Sequence, residues 1–171
     1  MERLPTTNTG TCGAPLCSET CLHDDERLVD EIKAKWHSYV ECDAYPEVKE
    51  TLRLLKERGL KIGLISTAYE KDIDAILEKT NLQKELFDII VGADTTEMMK
   101  PHPGAFKYAL RKLDAKPGEA VFVGNSIETD YMAAERAGIK AILIQRSANA
   151  NNTTRGLRVI SKLDEVFKYM S

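Results

Sequence analysis

Val121-Phe122-Val123-Gly124-Asn125-Ser126-Ile127-Glu128-Thr129-Asp130 is the stretch on which the fold turns. Three consecutive apolar residues read as a short buried strand, and Gly-Asn-Ser reads as a turn that opens a helix. The pattern repeats outward in both directions. Upstream, Phe106, Ala109 and Leu110 mark a helix, residues 87–91 a strand, Ile73, Ile76 and Leu77 a helix, and residues 61–66 a strand. Before these, a helix opens at Pro46, turns Val48, Leu52 and Leu55 inward and stops at Gly59. Downstream, a helix runs through Met132, Ala133 and Ala134 to Gly138, residues 141–144 form a strand, and residues 157–160 add a short one. Ser161 then caps a closing helix that buries Leu163, Val166 and Phe167.

Alternating strands and helices, with strands that are short continuous apolar runs, predict an α/β fold: a Rossmann-like parallel sheet with helices on both faces. In such a sheet ligands sit at the carboxyl ends of the strands. Ser66 and Thr67 end the first strand, Lys100 lies in the loop after the second, and Asn125 follows the third directly. Hydroxyl and amide groups at Ser66 and Thr67 suit phosphate oxygens, and the Lys100 ammonium suits the charge that builds in phosphoryl transfer. Gly124-Asn125-Ser126 opens a helix whose amides form a further anion site. Asp130, one turn on, is placed to hold a metal-bound water or to orient Lys100. Taken singly, each residue also has an ordinary reading as a strand-end, loop or capping residue; their order and position at strand ends decide for the site.

These segments, with Ile65-Ser66-Thr67, Lys100-Pro101-His102-Pro103 and Gly124-Asn125 through Asp130, resemble the haloacid dehalogenase superfamily of phosphohydrolases. The flanks agree: Tyr45-Pro46-x-Val48 before the first helix and Ala133-Ala134-x-x-Ala137-Gly138 after the last motif. The resemblance covers roughly three quarters of the chain, from Tyr45 onward. It implies a magnesium-dependent hydrolase acting on a small phosphorylated metabolite, in which an aspartate attacks phosphorus and a second activates water. In that scheme Lys100 and Ser66 are catalytic, Ser66, Thr67, Lys100 and Ser126 bind phosphate, and Asn125 and Asp130 are the metal ligands. Asn125 stands where the family has Asp, which weakens the metal site, and Glu128 is at most an accessory ligand.

The family's first motif, Asp-x-Asp-x-Thr at the end of an amino-terminal strand, has no counterpart. Asp24-Asp25 follow no apolar run and suit a helix cap; Asp43 sits in a short polar stretch. The resemblance therefore implies a sheet whose central nucleophile strand is missing, a gap of about two strand spacings, near 10 Å. The expectation is a chain inactive or incomplete by itself, a truncated gene model, a rearranged start or half of a split enzyme. Direct pairing of the flanking strands, an irregular substitute from the tail, a partner chain or self-association would complete the sheet. The alternative functions are a non-catalytic phosphate or anion binder and a strand-accepting interaction protein. A response-regulator or flavodoxin-like domain explains the Lys100 and Asp130 spacing less well.

The expected organisation is an irregular or disordered tail over residues 1–25, a remnant of a helical cap over 26–43 that carries Leu28, Val29, Ile32 and Trp36 on one stripe, and an α/β core over 44–171. Cys12, Cys17, Cys21 and His23 invite a zinc reading, but C-x4-C-x3-C-x-H lacks the C-x2-C knuckle and a second ligand pair, so reduced tail thiols are preferred. Cys42 reads as a small apolar filler, and His23, His37 and His102 as surface residues without a catalytic role. With 171 residues, 43% of them hydrophobic, and a formal charge of −3, one domain with a real core is expected. Neither nucleic acid nor a membrane is a suggested partner, and the composition places the protein in the cytoplasm.

Overall fold

The computed structural model describes residues 42–146 and 154–170, all within the unit Cys42–Ser171. The expected tail, the cap helix with Trp36, and the group Cys12, Cys17, Cys21 and His23 lie outside the described residues. Helix α1 (Val48–Glu57) leads to β1 (Gly63–Ile65), α2 (Glu70–Lys79), β2 (Ile89–Val91), α3 (Pro103–Leu113) and β3 (Val121–Gly124). A π-type turn over Ile127–Tyr131 runs into α4 (Met132–Arg136), then β4 (Lys140–Ile144), β5 (Val159–Ile160) and a 3₁₀ segment, Leu163–Tyr169.

Every pairing among the described residues is parallel, as the apolar strand runs predict. The strands form two sheets, β1–β2 and β3–β4–β5, and no ladder joins them among the described residues. Direct pairing of the flanking strands is therefore not how this fold closes. At the start of the first strand the Asp88 N–H donates to the Ile62 carbonyl at 2.7 Å, and side chains add to this bond. The Ile62 N–H donates to Asp88 Oδ2 at 2.6 Å, and Lys61 Nζ donates to the Leu113 carbonyl at 2.5 Å.

Helices cover both faces. On one face Leu52 and Leu55 of α1 and Val166 of the closing segment pack with Ile142 and Ile160. On the other, Phe106 and Leu110 of α3 and Ala133 and Ala134 of α4 pack with Ala141 and Leu143. Ala141, Ile142 and Leu143 are fully buried, so β4 is the centre of the larger sheet. Gly59 and Gly138 end their helices as expected, with φ of 74° and 80°. Around each, the amides close back onto the last turn, Gly59 N–H to the Lys56 carbonyl and Leu60 N–H to that of Leu55, and likewise Gly138 to Glu135 and Ile139 to Ala134. Asn81 (φ 52°) and Asp114 (φ 50°) end α2 and α3 in the same left-handed conformation without a glycine.

The two ends of the described chain are joined by a polar clasp that the sequence reading did not find. Glu47, just before α1, accepts from Arg146 Nη1 at the end of β4 and from the Leu163 N–H at 3.2 Å. Arg146 also stacks 3.6 Å above the Tyr45 ring. Burial alone would raise the Glu47 carboxyl, but the Arg146 bond and the peptide donors prevail and hold it below its ordinary value of 4.5. A carboxyl depressed in the folded state stabilises above its unfolded pKa and loses that contribution as pH falls through the folded one. Glu47→Gln is therefore expected to destabilise by about 1.5–3 kcal/mol near neutral pH. The gap to the parent should close as urea titrations are carried below pH 4.5; a gap that does not depend on pH would disprove the assignment.

Candidate active site at the strand ends

The site is built where β1 and β3 end and where the chain leaves β2. Ser66 continues β1, its N–H donating to the Val91 carbonyl at 2.9 Å. Its hydroxyl oxygen accepts from the Ala68 N–H at 3.1 Å, which leaves the hydroxyl proton to donate elsewhere. Thr67 beside it is exposed.

Lys100 and Asp130 meet as one pair. Lys100 Nζ lies 2.6 Å from Asp130 Oδ1, with side-chain exposures of 11% and 5%. The other carboxylate oxygen accepts from the Asn125 and Ser126 amides, each at 3.0 Å. Asp130 thus draws the turn after β3 around itself. This accounts for the π-type turn where an α-helix was expected: Tyr131 N–H reaches back five residues to the Ser126 carbonyl at 3.0 Å. The Lys100 ammonium also stands 5.7 Å from the centre of the Phe122 ring.

Gly124 has a specific steric reason to be glycine. A Cβ there would stand 2.4 Å from Asp130 Cβ and 2.6 Å from Oδ2. Gly124→Ala is expected to push Asp130 off the Asn125 and Ser126 amides and to cost about 1–3 kcal/mol, measured by thermal denaturation. An alanine variant as stable as the parent would mean that the turn relaxes freely.

The expected anion site at Asn125 and Ser126 is changed by this geometry. Both amides face the Asp130 carboxylate, and Ser126 Oγ accepts from the Thr129 N–H at 3.2 Å as a helix cap. The Asn125 side chain is exposed, as is Glu128. No hydrogen bond among the described residues joins Ser66 to Lys100 or Asp130. His102 caps α3, its Nδ1 accepting from the Gly104 N–H at 3.0 Å, in keeping with a surface role. Cys42 is a half-buried free thiol.

Two further polar groups were missed. Asp94 follows β2 at the same end of the sheet, and its Oδ1 accepts from the Glu70 N–H at 2.9 Å. The turn signal Gly92-Ala93-Asp94 after an apolar run could have marked it. Gln145, after β4, has a buried Oε1 that accepts no hydrogen bond among the described residues. It lines a cleft with Tyr45, Asn125 and Arg146.

The described residues contain no group of three or more His, Cys, Asp or Glu side chains able to hold a metal ion. Both Asp130 oxygens are already engaged, and Asn125 offers a neutral oxygen only. The described residues therefore do not by themselves fit a magnesium ion. No helix among them is long and apolar enough to cross a membrane.

A family profile described as haloacid dehalogenase-like hydrolase matches residues 15–144. The chain is similar to the pyrophosphatase PpaX of Bacillus cereus, 34% identical over 134 residues, which cover 72% of this chain and 61% of that protein. It thus spans less than two thirds of the length of that relative. Among solved structures it resembles an HAD phosphatase from Thermococcus onnurineus, with 28% identity and a TM-score of 0.68 over 86% of this chain and 64% of that one. A predicted phosphoglycolate phosphatase from Haemophilus somnus shares the fold, with 23% identity and a TM-score of 0.73 over 90% of this chain and 68% of that one.

Proposed function

Because the chain belongs to the haloacid dehalogenase-like hydrolase family, we propose that it carries the phosphate-holding part of a phosphohydrolase site and is catalytically incomplete by itself. The observation that carries this reading is the buried Lys100–Asp130 pair at the carboxyl ends of the strands. Lys100 supplies positive charge to a phosphoryl oxygen, and Asp130 fixes where that charge stands. The Ser66 hydroxyl and the exposed Thr67 donate to the remaining oxygens. Asp130 is a positioning residue here, because its oxygens are spent on Lys100 and on two amides.

The incompleteness rests on the carboxylates. Covalent phosphoryl transfer needs one free to attack phosphorus. Among the described residues at these strand ends, Asp130 is committed to Lys100, exposed Asp94 accepts from the Glu70 amide through Oδ1, and Asp43 is exposed and precedes α1; Asp24 and Asp25 lie outside the described residues. Loss of a nucleophile costs on the order of a million-fold in turnover. Small phosphate compounds are the ligand class, and the relative named a pyrophosphatase makes pyrophosphate the first to try.

The test joins binding to turnover. Orthophosphate at about a hundred times its Kd should stabilise the chain by about 2.7 kcal/mol, read as a rise in Tm. Lys100→Met, which keeps the side-chain stem, should abolish that rise. Neither pyrophosphate nor p-nitrophenyl phosphate should be hydrolysed, with or without magnesium. No stabilisation by phosphate would overturn the binding reading. Magnesium-dependent turnover lost in Lys100→Met would overturn the incompleteness.

A further inference from the structure

We infer that Thr95, with Glu70, Asp94 and Gly92, is a positioning group of the phosphate site: it latches the loop after β1, which carries Ser66 and Thr67, to the loop after β2, which carries Lys100. The inference rests on the phosphate-holding reading given above and adds what sets the spacing of its donors. Ser66 and Lys100 share no hydrogen bond among the described residues, so the two loops have to be held to each other for both groups to meet one anion. The tie begins where the ladder ends. Ser66 N–H donates to the Val91 carbonyl at 2.9 Å, and two residues on the Ala93 N–H donates to the Ala68 carbonyl, also at 2.9 Å. Ala68 is the residue whose N–H bonds Ser66 Oγ at 3.1 Å. A shift of its carbonyl is therefore a shift of the Ser66 hydroxyl.

Side chains close the latch. The Glu70 N–H donates to Asp94 Oδ1 at 2.9 Å, which holds the start of α2 against the turn after β2. The Thr95 hydroxyl works in both directions: its oxygen accepts from the Gly92 N–H at 2.7 Å, and its proton goes to Glu70 Oε1 at 2.6 Å. A valine of the same shape offers neither bond. Gly92 permits the close approach, since a Cβ there would stand 2.8 Å from Asp94 Oδ1, 2.9 Å from the Glu70 nitrogen and 3.0 Å from the Ala68 oxygen.

From Thr95 the position is carried to Lys100 along a loop that is itself pinned. Thr96 Oγ1 donates to the Met98 carbonyl at 3.0 Å, and the His102 N–H donates to the Met99 carbonyl at 3.0 Å. Lys100 stands between those bonds, with its ammonium 2.6 Å from Asp130 Oδ1. A hydroxyl and an ammonium presented at a set distance bind a tetrahedral oxyanion without first having to order two loops. Thr95 acts through Ser66 and Lys100, since both partners of its hydroxyl lie within the latch.

The test is the orthophosphate Kd of the full chain, read by isothermal titration calorimetry well below the Tm of each variant. Thr95→Val should weaken binding about 10-fold by letting the two loops drift, and Thr95→Ser, which keeps the hydroxyl, should recover most of that loss. With Ser66→Ala as the background, Thr95→Val should weaken binding by less than about 3-fold, because the donor that the latch places is gone. Glu70→Ala, at an exposed position, removes the acceptor of the Thr95 hydroxyl together with a negative charge. Charge alone would tighten phosphate binding, so the expected weakening of about 3-fold reports the latch, and it decides alone if Thr95→Val does not fold. The inference is overturned if Thr95→Val binds phosphate as the parent does, if Thr95→Ser is no better than Thr95→Val, or if the Thr95→Val loss is the same with and without the Ser66 hydroxyl. Tighter binding by Glu70→Ala overturns it equally. Each of these results leaves the phosphate-holding reading standing, whereas a parent that binds no orthophosphate overturns both.

Discussion

Asp130→Ala is expected to cost the fold about 3–5 kcal/mol, because it removes one partner of a buried pair and leaves the other charge uncompensated. Lys100 would keep 11% side-chain exposure with no carboxylate at 2.6 Å, and the Asn125 and Ser126 amides would lose their common acceptor. Asp130→Asn separates these losses, since an amide oxygen still accepts from the two N–H groups while the charge on Lys100 stays unmatched. Its cost should fall between those of the parent and the alanine variant. Urea unfolding of the single variants and of Lys100→Ala/Asp130→Ala completes the cycle. The double variant should lose less than the sum of the singles, as expected for residues in direct contact. A loss under about 1 kcal/mol for Asp130→Ala would place this pair with ordinary exposed salt bridges and remove its claim to organise the site.

That pair also marks how far the sequence could be read. Ser66 and Asn125 were legible as strand-end residues because fully apolar strands make the polar residue that follows conspicuous, whereas Lys100, further along the loop after β2, was legible through Lys100-Pro101-His102-Pro103. Gly59 and Gly138 were legible as helix stops because few other residues take φ near +75° at so little cost. Asn81 and Asp114 stop helices in the same way and were not read, since that conformation is only an occasional choice for them. The limit at Ser126 has a different origin. Its amide reads as a ligand donor, but Asp130 takes that N–H first, while the hydroxyl oxygen accepts from the Thr129 N–H as a cap. No spacing rule tells a donor aimed at a ligand from one satisfied within its own turn. Longer range still is the clasp of Glu47 on Arg146, which joins residues 99 apart and follows only from the placement of α1 beside the end of β4.

Phe106→Ala is expected to destabilise by about 3–5 kcal/mol, and the surroundings of the ring place it toward the lower figure. Phe106 is fully buried and meets Phe122 edge to face, with ring centres 4.9 Å apart and planes at 75°. Most of the loss is the transfer of the ring and the aromatic pair. The part that comes from leaving an enclosed void should be small, because the ring already borders a cavity of about 280 Å³ lined by Gly63, Ile65, Leu110 and Phe122. Water can enter the space that truncation opens there. Leu143→Ala provides the contrast: Leu143 is equally buried but does not line that cavity, so its smaller side chain should cost nearly as much. Urea unfolding of the two variants decides between the cases. A Phe106→Ala loss well beyond about 5 kcal/mol would mean that this cavity is closed in solution and that the void is enclosed after all.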